Sequence, residues 1–368
     1  MTVHIKAASL RGFVVEVFRA CGLDPESART AADVVCYADE HGFTTHGTNA
    51  LANIYAPRLR DGRIAAAARP EVVSDTGAVA VVDGNGGLGL LAMTAATDLA
   101  GRKARTQGIG MVAVRGSNHF GSAGFYAQRL TEQGLIGMAL TNCGPQGVAP
   151  PLGGALRMLG TNPLSAAVPS GEHPPFVLDM STTVVATGKI QAAQLRGEDV
   201  PPGWLYSRNG AVVTNPARYY EGTADVAWLG GPLATGGAKG FGLGLLVDIL
   251  CGPLAGAAFG PNRQVLGGGM PQADSNVGHV AIAIDPAAFG TASAFTSGMD
   301  ELLSTVRACP PAVDGRPVTY PGAPEAARAA RSLAEGVELP DAVATRLRAL
   351  AAELSVAEPA GLVSVAAA

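Results

Sequence analysis

Charge is scarce in this chain. Only 15% of its 368 residues are Asp, Glu, Lys or Arg, and they balance to −4. No basic block occurs, so nucleic-acid binding has no electrostatic footing. A charged fraction this low, beside 48% hydrophobic residues, is thin cover for a monomer and predicts surface buried between subunits. Cysteine is scarce too. Cys21, Cys36, Cys143, Cys251 and Cys309 are scattered, odd in number and never arranged as C-x-x-C. That argues against a disulfide framework and a zinc site, so no metal is expected. No secretory signal pattern is visible, and the expected location is a reducing cytoplasm. Long apolar runs are missing as well. The most apolar stretch, 243–260, is interrupted by Asp248, Gly252, Pro253 and Gly256 and reads as a core helix and its exit, not a membrane span.

The length allows two or three packed units. Leu10, Phe13, Val14, Val17 and Phe18 recur at helical spacing. A second helix is expected from Asp24-Pro25 to about His41, with the aspartate as cap and the proline preset for the first turn. His41 is expected at the surface. A third helix begins near His46, with Leu51, Ile54, Tyr55 and Leu59 on one face. Strands are expected at 78–83, 109–114, 135–141 and 278–284, and short ones after Gly160, at 176–179 and at 336–339. Helices are expected at 90–106, 123–133, from 184, and at 241–250, 289–306, 325–334 and 341–354. Segment 197–220 reads as a polar surface excursion and 355–368 as a disordered tail.

Two histidines carry the chemistry. His119 lies in a strand-to-helix turn beside Ser117 and Asn118, where an imidazole sits next to free backbone donors at a helix start. His46 lies at the start of the third helix, where the partial positive charge disfavours imidazolium. Imidazole titrates near neutrality and suits proton transfer. Either residue could instead simply cap or pack its turn.

Further along, Asp179 closes an apolar strand and is followed by Ser181, Thr182 and Thr183. It reads as a helix cap or as an acceptor for a ligand hydroxyl, with the three hydroxyls as donors at the same helix start. Lys239 follows a glycine-rich approach at the N-terminus of the 241–250 helix. A cation there opposes the macrodipole, but lysine plus free N–H groups is what a phosphate needs.

Gly84-Asn-Gly-Gly-Leu-Gly89 is a literal G-x-G-x-x-G between a strand and a helix, the fingerprint of a Rossmann dinucleotide site. The second strand runs into Arg115 instead of an acid, so only an NADP reading survives. In a chain with 49 glycines the pattern also arises easily by chance.

The ordered motifs resemble one family. They are His46-Gly47, Val82-Asp-Gly-Asn-Gly-Gly-Leu-Gly89, Ser117-Asn-His-Phe-Gly121, Gly160-Thr-Asn-Pro163, Asp179-Met-Ser181 through Gly188-Lys-Ile190, Lys239-Gly240, Gly278-His279, Ile284-Asp-Pro286 and Tyr320-Pro-Gly322. In this order they resemble the malate/L-lactate/ureidoglycolate dehydrogenases over nearly all of 5–350. The resemblance implies a non-Rossmann α/β fold with a mixed sheet flanked by helices and a helical N- and C-terminal domain. It implies a helical unit of 1–76 with 310–355, a scaffold of 77–130 with 260–309, and an NAD(P)-binding unit of 131–259. It also implies a homodimer acting on a small molecule.

It assigns the 84–89 turn to the scaffold and implies that NAD or NADP lies against His119, Asn142, Cys143, Gly144, Asp179, Met180, Ser181, Thr182, Lys239 and Gly322. Substrate is expected at Thr45, Asn49, Thr161 and Asn162. His46 and His119 are the expected catalytic pair, with His46 favoured as proton donor. The implied reaction moves hydride between nicotinamide and a 2-oxo or 2-hydroxy acid or a cyclic imine.

One departure stands out. The family arginine four places after His46 is Ala50 here, with Arg58 and Arg115 as candidate substitutes. Its loss suggests a specialised biosynthetic reductase, or a degenerate member that binds nucleotide or metabolite without turnover.

Overall fold

The computed structural model describes residues 2–267 and 276–362. Strand β1 (Thr2–Ile5) leads into helices α1 (Ala7–Ala20) and α2 (Pro25–Glu40). The five periodic residues of α1 are all buried. Asp24 caps α2 by accepting from the Glu26 and Ser27 N–H groups, with Pro25 in the first turn. The third helix comes in three pieces: α3 (Thr48–Ala50), a π-helical turn over Leu51–Tyr55, and α4 (Ala56–Arg60). Then follow β2 (Glu71–Thr76), β3 (Val79–Asp83), α5 (Gly89–Gln107), β4 (Ile109–Ser117), α6 (Ala123–Thr131), β5 (Ile136–Thr141), β6 (Leu164–Val168), β7 (Phe176–Met180) and α7 (Thr187–Arg196). Next come β8 (Leu205–Ser207), β9 (Val212–Val213), α8 (Ala217–Tyr220), β10 (Ala224–Val226), α9 (Gly237–Cys251) and α10 (Arg263–Leu266). The chain closes with β11 (Val277–Ile284), α11 (Ala292–Ala308), α12 (Ala323–Glu335), β12 (Val337–Pro340) and α13 (Asp341–Leu354).

Seven strands form one mixed sheet in the order β2-β3-β4-β11-β5-β6-β7. Among the described residues only β3 and β4 run parallel, joined by the helical crossover α5. The sheet crosses the 130/131 boundary expected from sequence, because β5 pairs with β11. Alternation sorts its side chains into two cores. Val112, Val114, Ala281 and Ala283 join the large core that includes α1, α2, α5 and α6. Ala113 and Val280 face the other way, against Val247 and Cys251 of α9. Both faces of β4 and β11 are therefore buried, which is why β11 reads as nearly continuous apolar sequence. The chain's two ends meet: β1 pairs antiparallel with β12, beneath α13.

Several expectations need correction. Segment 197–220 is not a loose excursion. It supplies β8, β9 and α8, and with β10 it builds a three-stranded sheet over its own core of Leu205, Tyr219, Val226 and Trp228. His41 is half-buried, with its ring stacked 3.9 Å from that of Tyr37. Helix α7 begins at Thr187, three residues later than expected, because residues 182–184 bridge to the 227–229 strand end instead. The disordered tail does not begin at 355. Val356 packs on the large core and Leu362 is buried; residues 363–368 lie outside the described residues. Among the described residues no helix is long and apolar enough to cross a membrane.

Candidate active site

Two connections bring the histidines together. His119 sits in the turn between β4 and α6, at the exit of a central strand. His46 sits just ahead of α3, whose N-cap is Gly47. Their rings lie parallel, with centroids 5.7 Å apart and planes 6° from each other. Each turn is built to hold its ring. Asp39 of α2 is buried and accepts the Thr48 N–H at 2.7 Å, capping the helix behind His46. A side chain at position 47 would place Cβ 2.0 Å from Asp39 Oδ1, so glycine is required there. On the other side, Asn118 donates to Gly87 O at 2.7 Å. A Cβ on Gly89 would lie 2.3 Å from Asn118 O and 2.6 Å from His119 O.

That last contact joins the glycine-rich motif to the His119 turn. A strand, a glycine turn, a helix and a parallel strand are all present, as the fingerprint requires. Yet two of the three motif glycines face this chain's own backbone: Gly84 meets Gly116 O and Gly89 meets the His119 turn, while the middle one, Gly86, has no atom within 4 Å of its Cβ position. Arg115 donates to Asp83 at 2.9 Å, so the cation wanted for a 2′-phosphate is already paired.

The electrostatics separate the two imidazoles. Burial, then the neighbouring charges of His46, Arg58 and His279, push the His119 pKa down to about 3. His46 is also lowered by burial, but the Asp179 carboxylate works the other way and supports its charged form. Thr45 Oγ1 stands 3.3 Å from His46 Nδ1, and Gly188 of α7 packs against the Thr45 methyl.

Asp179 caps a helix, but not the one that follows it in sequence. Its Oδ2 accepts from Ser122 Oγ at 2.9 Å and from Gly124 N at 2.7 Å, so it caps α6 across the sheet. Burial raises its pKa despite those bonds. Asp179 and Gly322 line one cleft of about 120 Å³ together with Tyr37, Phe43, Gln128 and Glu325.

A second cluster lies at the ends of β5 and β6. Asn142 uses its whole amide: it donates to Asp248 and Ala258 O and accepts from Gly144 and Gly278 N. Its backbone is engaged too, the N–H donating to Gly278 O and the carbonyl accepting from Thr141 Oγ1. Cys143 Sγ sits 3.8 Å from Thr161 Oγ1. Thr182 donates to Thr161 O through both its N–H and its hydroxyl. Ser181 and Thr183 donate to carbonyls within their own turn. The three hydroxyls therefore hold the loop after β7, whose last residue is Met180, and do not stand at a helix start as expected. Asn162 is buried at φ 38° and donates to Gly244 O of α9. Lys239 stands exposed in the first turn of that helix, which has no side-chain cap and no acid.

Four contributors were missed from sequence. Tyr55, read as part of an apolar face, puts its hydroxyl 2.7 Å from His119 Nδ1. Asp39 looked like any helix residue. His279 is buried between Ser117 Oγ at 2.8 Å and Thr141 Oγ1 at 2.7 Å, with Phe120 stacked on it, so it pins the His119 turn to the sheet. Arg346 of α13 donates to Asn49 Oδ1 at 2.7 Å, which engages a side chain expected to meet substrate. Of the two candidate substitutes for the family arginine, Arg58 lies near enough for its charge to lower the His119 pKa, while Arg115 is held by Asp83. Among the described residues no group of three or more His, Cys, Asp or Glu could hold a metal ion.

Comparison with known proteins places the family and the fold. A family model described as malate/L-lactate dehydrogenase matches residues 5–348. A malate/(S)-sulfolactate dehydrogenase of Methanothermus fervidus is 34% identical over 346 residues, covering 94% of this chain and 96% of the relative. The crystal structure of malate dehydrogenase from Entamoeba histolytica superposes with TM-score 0.90 at 28% identity, over 98% of this chain and 100% of that one. A Δ1-piperideine-2-carboxylate reductase from Pseudomonas syringae superposes with TM-score 0.80 at 27% identity, over 94% and 99% of the two chains.

Proposed function

This chain belongs to the malate/L-lactate dehydrogenase family of NAD(P)-dependent oxidoreductases, and from that premise we propose that it reduces the C=O or C=N bond of a small 2-oxo acid or cyclic imine, or runs the reverse oxidation, with His46 as the proton carrier. The observation that carries this reading is the pair of parallel imidazoles 5.7 Å apart, only one of which has a carboxylate supporting its charged form. When bound, the nicotinamide supplies or takes up the hydride. His46 delivers the matching proton to the substrate oxygen or nitrogen, and Asp179 stabilises the imidazolium that precedes delivery. His119, held neutral, offers a hydrogen bond to the same atom. Two such rings cannot both carry charge at this spacing, so the division of roles follows from Coulomb repulsion. Ala50 in the family arginine's place favours a substrate other than a plain 2-oxo acid, with the carboxylate grip shifted to Arg58 or Arg346.

Thr45 and the 161–162 turn flank the substrate in this reading. The residues offered to NAD(P) fit a dinucleotide in kind. Exposed Lys239 suits a phosphate by its charge, although the free N–H groups expected there are largely used, with Gly237, Lys239 and Gly240 N–H donating to the Pro232, Gly236 and Leu229 carbonyls; the Asp179–Gly322 cleft offers an acceptor and a close backbone approach. On this reading 131–259 supplies most cofactor contacts. Lys239→Glu is expected to raise the KM for NAD(P)H at least tenfold with a smaller change in kcat, from steady-state kinetics at fixed substrate. A KM unchanged within twofold removes Lys239 from the cofactor site. The reaction itself is tested by screening 2-oxo acids, sulfo-substituted oxo acids and cyclic imines while following NADH and NADPH absorbance. No turnover on any class with either cofactor leaves only a binding role.

The same reading includes a homodimer, acting in the cytoplasm. Past Lys239, α9 exposes Leu243, Leu246 and Ile249 at helical spacing, followed by Leu254. Its one acidic side chain, Asp248, is buried. A helix apolar on all sides needs cover on both faces. Leu246→Glu is expected to convert a dimer to monomer in size-exclusion light scattering. A wild-type monomer at micromolar concentration overturns the dimer.

A further inference from the structure

The π-helical turn at Leu51–Tyr55 is marked by the Ala56 N–H reaching back five residues to Leu51 O. Such turns hold one residue more than an α-turn and recur at functional sites. One extra residue rotates everything after it by about 100° about the helix axis. Here the residue that ends the turn is Tyr55, fully buried, tilted against Phe18 at 6.3 Å, with its hydroxyl 2.7 Å from His119 Nδ1.

A second contact fixes the direction of that hydrogen bond. The Gly121 N–H points at the same Nδ1 from 3.4 Å. A backbone N–H only donates, so Nδ1 carries its lone pair. Tyr55 must then donate its O–H, and the ring proton of neutral His119 sits on Nε2. Both partners keep these states: burial raises the Tyr55 phenol, and His119 stays neutral down to about pH 3. Gly121, at φ 82°, is needed for the approach, because a Cβ there would meet Val34 at 3.1 Å and Tyr55 Oη at 3.6 Å.

We infer that Tyr55 is a positioning residue which fixes His119 in the Nε2–H tautomer, and that the widened turn is what aims it. The ring then presents one N–H donor and no acceptor to the substrate. A neutral imidazole of this kind polarises a carbonyl or imine through a hydrogen bond without giving up its proton, as the neutral catalytic imidazole of triosephosphate isomerase does. This rests on the proposed reaction, since it deepens the role of His119 there. It also explains why two histidines are kept: one moves a proton and the other is wired not to.

The test is long-range ¹H–¹⁵N NMR of the histidine-labelled full-length protein, wild type and Tyr55→Phe, with kcat and KM measured on both. Wild-type His119 should show a pyridine-type Nδ1 and a pyrrole-type Nε2, unchanged across about pH 5–8. Tyr55→Phe should mix the tautomers and lower kcat about ten- to a hundredfold with little change in KM. A wild-type ring protonated on Nδ1 overturns the inference, and so does a Tyr55→Phe enzyme that keeps both its tautomer and its kcat. If Tyr55→Phe fails to fold, the wild-type spectrum alone decides. The spectrum needs no turnover, so an Nε2–H ring in a protein inactive on every oxo acid and imine would sink the proposed reaction and leave the tautomer assignment standing.

Discussion

His46→Ala is expected to lower kcat about 10²–10⁴-fold, the range for losing a positioned general acid. His119→Ala should fall in the same range, but the two variants should differ in their dependence on pH. Burial lowers His46 while the Asp179 carboxylate supports its charged form, whereas burial and the neighbouring positive groups together lower His119 to about 3. As pH falls through the His46 pKa the imidazolium forms, and reduction should speed up until that form saturates. His119→Ala should keep this limb, since His119 stays neutral above about 3. His46→Ala should flatten it. Profiles of kcat against pH, in the direction of NAD(P)H oxidation, make the comparison. A near-normal rate in either variant removes that residue from the mechanism, and a limb lost only in His119→Ala reverses the two roles.

The second large effect is expected far from any ligand contact. Gly89→Ala places a methyl group 2.3 Å from Asn118 O and 2.6 Å from His119 O. Neither carbonyl can move alone, because Asn118 is tied to Gly87 and the turn to His279 through Ser117. The His119 turn must therefore shift, and a displacement of about 1 Å at a catalytic group costs about 10²-fold in rate. Gly86 is the control. Its φ of 70° makes any side chain strained, but no atom lies within 4 Å of its Cβ position. Gly86→Val should cost stability and leave the KM for NAD(P)H nearly unchanged. A dinucleotide lodged against the 84–89 turn predicts the reverse, with cofactor affinity lost in Gly86→Val. Cofactor titrations of both variants separate these outcomes.

The element pattern was largely legible. Helix α13 falls on its expected bounds because it buries a regular stripe, and α5 and β11 fall within a residue of theirs because each is an apolar run with clear ends. The small β8–β9–β10 layer was not legible: its strands are two or three residues long, too short to show a period. The π-turn is equally silent, since a single extra residue does not disturb an apolar pattern already interrupted by Asn53. Asp179 shows the limit of local reasoning. A cap was expected from its place in sequence, and it does cap a helix, but through Gly124, 55 residues earlier in the chain and brought beside it by the sheet.

By itself the sequence pointed to the family, through motifs in a set order, and named two histidines in turns and a lysine at a helix start as candidates. Taken singly, each histidine could as well cap or pack its turn; the order of the motifs along the chain is what singled them out. The proposed division of work between them rests on the tertiary structure alone. Burial depth, the carboxylate that faces His46, and the phenol that faces His119 come from segments remote in sequence, and a pKa or a tautomer depends on what surrounds a ring in space.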